Sequence, residues 1–528
     1  MNVIVICSDT FRYDHLGFVG RQPVATPNLD QLARESASFS DFWLCSFPTL
    51  VNRIEVFSGR YTFPLMDWGA LPFQFPVLAE VFKHHGFGTA LFADNLHLMQ
   101  DGFGFGRGFD FVKNVPGQLH DHFQPDTTPM IQLPCGAEKL EPKPNRLARY
   151  CRNAQWYCQH NTNTIETVFN ETMHWLDAPP EKFFLWLDTF DPHEPWDAPQ
   201  RYLDPYPWNP AGDKVTWPHS GKASRYPAAD LENMRSLYKA EVSQTDFWVG
   251  QLLAHLQEKN LLENTAVIFC SDHGYYFGEH GMLGKPLKSQ LARPTTIYEE
   301  LGHIPLLVRH PAGIGAGQTV RGLCQPPDLF ATALELAGIP QVNWAQGNSL
   351  VPRLQGQPGV QRFAVGGCHP HKGKVSCLTV LTDNWCLVYA PAEGLAGAEL
   401  FHRPTDPVQT RNVNAQNRPV VEELFALLGS WLEELNVSPA RRKQLLHAAD
   451  FGWLERMKHR LWLLRNRWAY QKNYRNYARE GINGVGVRVA SPAAVEITRT
   501  GWGNSGSTKS FVRQRVGQPC ANDQRTSL

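Results

Sequence analysis

The residues best placed to do chemistry in this chain stand at the ends of apolar, β-branched runs. Asp9 follows the run 3–7, Asp191 and His193 follow 182–188, and Asp272 and His273 follow 264–271. Apolar runs of this kind build a mostly parallel sheet, in which side chains at the carboxyl ends of the strands converge on one crevice. Ser271-Asp272-His273-Gly274 sets a carboxylate beside an imidazole, with glycine permitting a tight turn. That pairing suits a divalent metal, and it equally suits a capped turn that binds nothing. With Asp9 and the hydroxyl of Thr49, the set supplies oxygen, oxygen, oxygen and nitrogen donors. One divalent ion, Mn²⁺, Zn²⁺ or Ca²⁺, matches such a set.

The elements that must hold these groups read as α/β. Strands are expected at 3–7, 89–93, 182–188 and 264–271. Helices are expected after Thr26-Pro27, with Pro in the first turn, and over 77–85, ended by Gly86. Alternation of such elements implies a sheet covered by helices on both faces. Residues 1–355 are read as the catalytic domain, with 112–160 as an insertion at an edge or lid of the pocket. A smaller α+β subdomain follows over 356–435, with strands near 379–381 and 385–389 and a helix over 420–435. Residues 436–490 form a basic, aromatic helical extension. Its arginines fit a helix packed on the body or an amphipathic surface for a membrane or partner. Residues 491–528 read as a loose tail.

Composition narrows the function classes. The chain has 528 residues, with 50 Lys+Arg against 50 Asp+Glu. Zero formal charge gives no global pull toward nucleic acid or an anionic membrane. No apolar run is long enough to span a bilayer. Met1–Cys7 lacks a basic leader and a cleavage site, which predicts a cytoplasmic protein with reduced thiols. Eleven cysteines show no paired metal spacing, although Cys151 and Cys158 lie near one another.

A specific resemblance adds to this reading. Asp9-Thr10-Phe11-Arg12-Tyr13-Asp14-His15-Leu16-Gly17 resembles the D-T-x-R-x-D-x-L-G opening of bacterial sulfatase-like enzymes of the alkaline phosphatase superfamily. Thr49-Leu50-Val51-Asn52-Arg53, running on to Ser58-Gly59-Arg60, has the spacing of the sulfatase signature C-x-P-S-R. Glu241–Asp246, Ser271–Lys285, Tyr298–Leu306, Pro327–Ile339 and Glu399–Pro407 resemble further family blocks in order. The resemblance covers roughly residues 1–435. It implies an alkaline-phosphatase-like fold and a small-molecule phosphate or sulfate ester as substrate. Asp9, Asp272 and His273 would hold the metal, and Thr49 would be both ligand and nucleophile. Arg53 would steady the nucleophile and the developing charge. His193 would contact the substrate anion or leaving group, and Lys285 would lie near the transferred group. His97 matches the histidine of G-K-W-H-L-G. His97 also fits a core histidine, and Lys285 a surface lysine.

Three departures from the family pattern matter. Thr10 stands where many sulfatases have a second metal-binding Asp. Asn95 stands where a lysine would help bind sulfate. Thr49 replaces the cysteine or serine that becomes formylglycine, and threonine cannot become one. A formylglycine hydrate expels sulfate by collapsing to an aldehyde, a route closed to a single hydroxyl. An O-phosphorylated threonine can be hydrolysed by a second in-line displacement. The expected activity is therefore hydrolysis of phosphate diesters or monoesters. The alternatives are a sulfuric ester hydrolase working without formylglycine and an inactive anion-binding homologue.

Overall fold

The computed structural model describes residues 1–125, 133–141, 144–286, 296–368, 377–391 and 393–446. In chain order the strands begin with β1 (Asn2–Ser8), β2 (Ala37–Phe39), β3 (Ser46–Phe47), β4 (Gly88–Ala93), β5 (Phe111–Asn114) and β6 (Phe183–Thr189). They continue with β7 (Gly221–Lys222), β8 (Thr265–Ser271), β9 (Tyr276–Phe277), β10 (Met282–Gly284), β11 (Leu306–Arg309) and β12 (Thr319–Val320). The last four are β13 (Ala364–Cys368), β14 (Leu378–Leu381), β15 (Trp385–Tyr389) and β16 (Glu399–His402).

The main sheet has the order β12-β2-β11-β8-β1-β6-β4-β5. The run from β8 to β5 is parallel, and β11 pairs antiparallel with both β8 and β2. In β1, Val3, Val5 and Cys7 face one apolar core while Ile4 and Ile6 face the other. This is why the strand reads as a continuous apolar run: both of its faces are covered. Each such large side chain, fully buried, stabilises the fold by about 1.5–3 kcal/mol. The stretch 112–160 starts within edge strand β5 and includes the helix Pro144–Gln159. Cys151 within that helix is a free, buried thiol.

Two details place the crevice. Helix α1 (Pro27–Arg34) has proline in its first turn, but Thr26 makes no cap bond to it. The Thr26 hydroxyl donates to Asp30 at 2.9 Å, and Asp246 of the long helix Ala228–Glu258 takes the orphan N–H groups instead. Its Oδ1 accepts from the Leu29 amide at 2.7 Å and its Oδ2 from the Asn28 amide at 3.3 Å. A tertiary carboxylate thus does the work expected of a local cap. The second detail is a small sheet of order β16-β15-β14-β13-β3. Through β3 it takes in Ser46 and Phe47, which pair with Gly367 and Cys368. The C-terminal subdomain therefore grips the chain two residues before Thr49. The helix expected at 420–435 spans Arg418–Glu434. From residue 447 onward the basic aromatic extension and the tail lie outside the described residues.

Candidate metal centre and nucleophile turn

Three carboxylates meet at the carboxyl end of the sheet because three adjacent strands end at one level. Ser8 of β1 registers with Ser271 of β8 and Thr189 of β6, so Asp9, Asp272 and Asp188 become neighbours. All three are fully buried, and so is Arg53 on helix α2 (Leu50–Ser58). Arg53 Nε lies 2.8 Å from Asp188 Oδ2 and its Nη2 2.9 Å from Asp188 Oδ1, a bidentate fork. Its Nη2 also reaches Asp9 Oδ2 at 3.1 Å, and its Nη1 reaches Asp272 Oδ2 at 2.5 Å. Burial works against the guanidinium charge, but Asp188 and Asp272 outweigh it and raise the Arg53 pKa well above normal. Burial pushes Asp9 up, yet Arg53, His273 and Lys285 together bring it below the ordinary carboxylate range. Asp188 ends raised, burial prevailing over Arg53.

The set fits a divalent cation. The donor atoms of Asp9, Asp272 and His273 lie within 4.8 Å of one another. His273 Nδ1 is 3.0 Å from the Gly274 carbonyl and donates there, which leaves a lone pair on Nε2. Nε2 faces Thr49 Oγ1 at 3.4 Å, Asp272 Oδ2 at 3.5 Å and Asp9 Oδ1 at 4.0 Å. A lone pair aimed at carboxylate oxygens is repulsive unless positive charge lies between them. The charge count agrees. Three carboxylates against the single Arg53 guanidinium leave an excess of two negative charges, which a divalent ion balances.

Thr49 enters this centre on a strained turn. It is the residue before α2, with φ 33° and ψ −84°, and its side chain makes no cap bond to the helix. Positive φ is a genuine outlier for a β-branched residue and persists only where surrounding contacts enforce it. Those contacts are visible. Glu55 accepts the Ser46 hydroxyl at 2.5 Å, the Ser46 amide at 3.1 Å and the Thr62 amide at 3.0 Å. Arg53 Nη1 lies 3.4 Å from the Thr49 carbonyl. Arg53 thus steadies the backbone of the turn, while all three of its nitrogens are already engaged by protein oxygens.

The rim carries the other expected residues. Lys285 Nζ donates to Glu194 Oε2 at 2.9 Å and to Thr10 Oγ1 at 3.4 Å, and sits 5.3 Å from the Tyr275 ring centroid. It is largely buried rather than a surface lysine. His193 Nδ1 bonds the Glu194 carbonyl, and burial with Lys285 nearby drives its pKa well below the usual value. Burial also lowers His97 to about 4, and its buried Nδ1 has no hydrogen bond among the described residues. Both rings are therefore neutral near pH 7. His280 bonds Glu300 at 3.1 Å and stacks on Tyr298.

The departures in sequence now have structural consequences. Thr10 Oγ1 donates to Asp9 Oδ1 at 2.7 Å and so holds that carboxylate in place. Asn95 Nδ2 bridges Asp9 Oδ2 at 3.0 Å and Asp188 Oδ1 at 3.3 Å. Trp196, in the loop after β6, is fully buried and packs in the core, whereas Trp208 is 40% exposed. Sequence reading missed Asp188 and Glu194. The signal for Asp188 was available: it is the one charged residue in the apolar strand β6, and a buried charge demands a partner.

The sulfatase family model matches residues 1–339, and the model of the N-sulphoglucosamine sulphohydrolase C-terminal region matches residues 278–438. Arylsulfatase K of Homo sapiens is 23% identical over 478 residues, covering 83% of this chain and 83% of that protein. The ulvan-active sulfatase of Formosa agariphila is 25% identical over 358 residues, covering 66% of this chain and 64% of that protein. Phosphonate monoester hydrolase of Agrobacterium radiobacter superimposes with a TM-score of 0.65 at 21% identity, covering 82% of this chain and 95% of that one. BT4656 in complex with its substrate D-Glucosamine-2-N, 6-O-disulfate does so with a TM-score of 0.62 at 17% identity, covering 84% and 99%. The cytoplasmic location expected from Met1–Cys7 is corrected by these relatives, since arylsulfatase K and the ulvan-active sulfatase are secreted or lumenal. Those first residues include the buried strand β1, whose apolar character reflects the sheet core. No helix among the described residues is long and apolar enough to cross a membrane. The family match extends over residues 1–339 of 528, and the chain belongs to the sulfatase family, ester hydrolases built on the alkaline-phosphatase-like fold.

Proposed function

We propose that this sulfatase-family hydrolase cleaves phosphate esters, diesters foremost, with Thr49 as the nucleophile. The observation that carries the reading is the Thr49 hydroxyl, 3.4 Å from His273 Nε2 at the edge of the Asp9–Asp272–His273 cluster, on a backbone held at φ 33°. A divalent metal held by Asp9, Asp272, His273 and Thr49 would lower the hydroxyl pKa and polarise the transferred group. The chain's own residues do the rest. The Glu55 and Arg53 contacts fix the turn, so the hydroxyl is presented without reorganisation. Thr49 Oγ1 bonds to phosphorus as the bond to the leaving alcohol breaks. The Thr49 proton is released and the leaving oxygen takes one up. Water then attacks phosphorus, the bond to Oγ1 breaks, and Thr49 regains its proton. Lys285, paired with Glu194, would donate a hydrogen bond to an oxygen of the transferred group.

Single-hydroxyl chemistry supports the phosphoryl reading, because a sulfated threonine has no aldehyde to collapse into. A sulfuric ester hydrolase is the second reading, and the relatives named sulfatases favour it. An inactive anion-binding homologue fits less well with a cluster whose ligands and Arg53 are all in place. A panel of a phosphate diester, a phosphate monoester and a sulfate ester, each with and without chelator, tests the proposal. Diester turnover lost on chelation is expected. Turnover of the sulfate ester alone would overturn it.

A further inference from the structure

We propose that Glu194 determines specificity, confining the site to esters whose transferred group carries a single negative charge. The inference rests on the phosphoryl reading above and names the charge class of its substrate. Arg53 has no capacity left for substrate, because Asp188, Asp9 and Asp272 engage it on every nitrogen. Asn95 contributes an amide and no charge, and that amide is committed to Asp9 and Asp188. His97 Nδ1 has no hydrogen bond among the described residues, and His193 Nδ1 bonds the Glu194 carbonyl with Glu194 Oε2 3.4 Å away.

The cation that remains beside the cluster, among the described residues, is Lys285. Its ammonium is 3.4 Å from Thr10 Oγ1, and that hydroxyl is 2.7 Å from Asp9 Oδ1. Glu194 meets it at 2.9 Å, with side-chain exposures of 12% for Lys285 and 6% for Glu194. A pair this enclosed is weakly screened, so the carboxylate cancels most of the field the ammonium would project. Asp9, Asp188, Asp272 and Glu194 bring four negative charges. Arg53, Lys285 and a divalent ion bring four positive ones, so the loaded site is neutral. A diester or a phosphonate monoester adds one negative charge to that buried site. A phosphate monoester at alkaline pH adds two, taking the site from neutral to minus two, and Glu194 repels that dianion more strongly than a monoanion.

The test compares kcat/KM for p-nitrophenyl phenylphosphonate, a monoanion, with that for p-nitrophenyl phosphate, a dianion at pH 8.5. Wild type should prefer the monoanion. Glu194→Gln, nearly isosteric, should shift the ratio toward the dianion by about tenfold, chiefly through a faster monoester reaction. Glu194→Asp, which keeps the charge, should retain the wild-type ratio. A Glu194→Gln protein with wild-type thermal unfolding and an unmoved ratio would overturn the inference. Equal losses on both esters would do the same, since they mark a merely structural residue. Wild-type protein that turns over neither phosphorus ester would instead bring down the phosphoryl reading, and this inference with it.

Discussion

Arg53 and Lys285 both lie at the carboxyl end of the sheet, and they are held in opposite ways. Arg53 lies on the floor, fully buried and forked into Asp188 with Asp9 and Asp272 alongside. Lys285 lies on the rim, against one carboxylate, one hydroxyl and the face of Tyr275. The floor cation is saturated, so it organises ligands and the nucleophile turn. The rim cation is only balanced, so it can answer to a bound anion. Position in the fold, rather than charge alone, decides how many protein oxygens engage each cation.

The strongest way to break that contrast is to remove the floor cation. Arg53→Met leaves three carboxylates buried against no counter-charge and should destabilise the fold by about 3–5 kcal/mol. Urea unfolding of the metal-free proteins would show it; a shift below about 1 kcal/mol would mean the carboxylates had never depended on Arg53. Removing the hydroxyl tests what the floor presents. Thr49→Ala should lower kcat by about 10³-fold or more, while Thr49→Ser keeps activity within about tenfold. Stability should hardly move in either variant. Loosening the floor without emptying it has a smaller effect. Asp188→Asn removes half of the fork and should reduce kcat about 10- to 100-fold, with a parallel loss of metal affinity. Retention of both would assign Asp188 to packing alone.

The smallest expected effect sharpens the contrast through pH. Burial raises Glu55, behind the nucleophile turn, to about 7, against the hydrogen bonds from Ser46 and Thr62. A raised carboxyl pKa in the fold means that its stabilising contribution is complete below the unfolded value, near 4.5, and is lost as pH rises through about 7. The full span is on the order of 3 kcal/mol. Glu55→Gln should therefore flatten the fall in stability between pH 5 and 8 (about 1–2 kcal/mol of it within reach of measurement). Parallel pH profiles for the two proteins would show that Glu55 does not carry the proton.

Much of this was legible in the sequence because the site follows buried strands. The run 264–271 and the groups Asp272 and His273 after it could be read locally, as could the T-x-x-x-R spacing of the turn, since α2 places Arg53 one turn beyond Thr49. What could not be read is non-local. Asp188 is the one charged residue of β6, and its partner Arg53 lies 135 residues away on another element. Glu194 and Lys285 are 91 residues apart, and nothing in either segment announces the other. Asp246 caps α1 from a distant helix, where local pattern pointed to Thr26. Contacts between loops are set by packing, and packing has no period in the sequence.

The central claim is that Thr49 takes the transferred group. Rapid acid quench during turnover of a phosphate diester, followed by peptide mass spectrometry, tests it most directly. The account predicts a phosphoryl group on the peptide carrying Thr49, absent from Thr49→Ala. Steady turnover with that peptide unmodified, or with Thr49→Ala equally active, would contradict it.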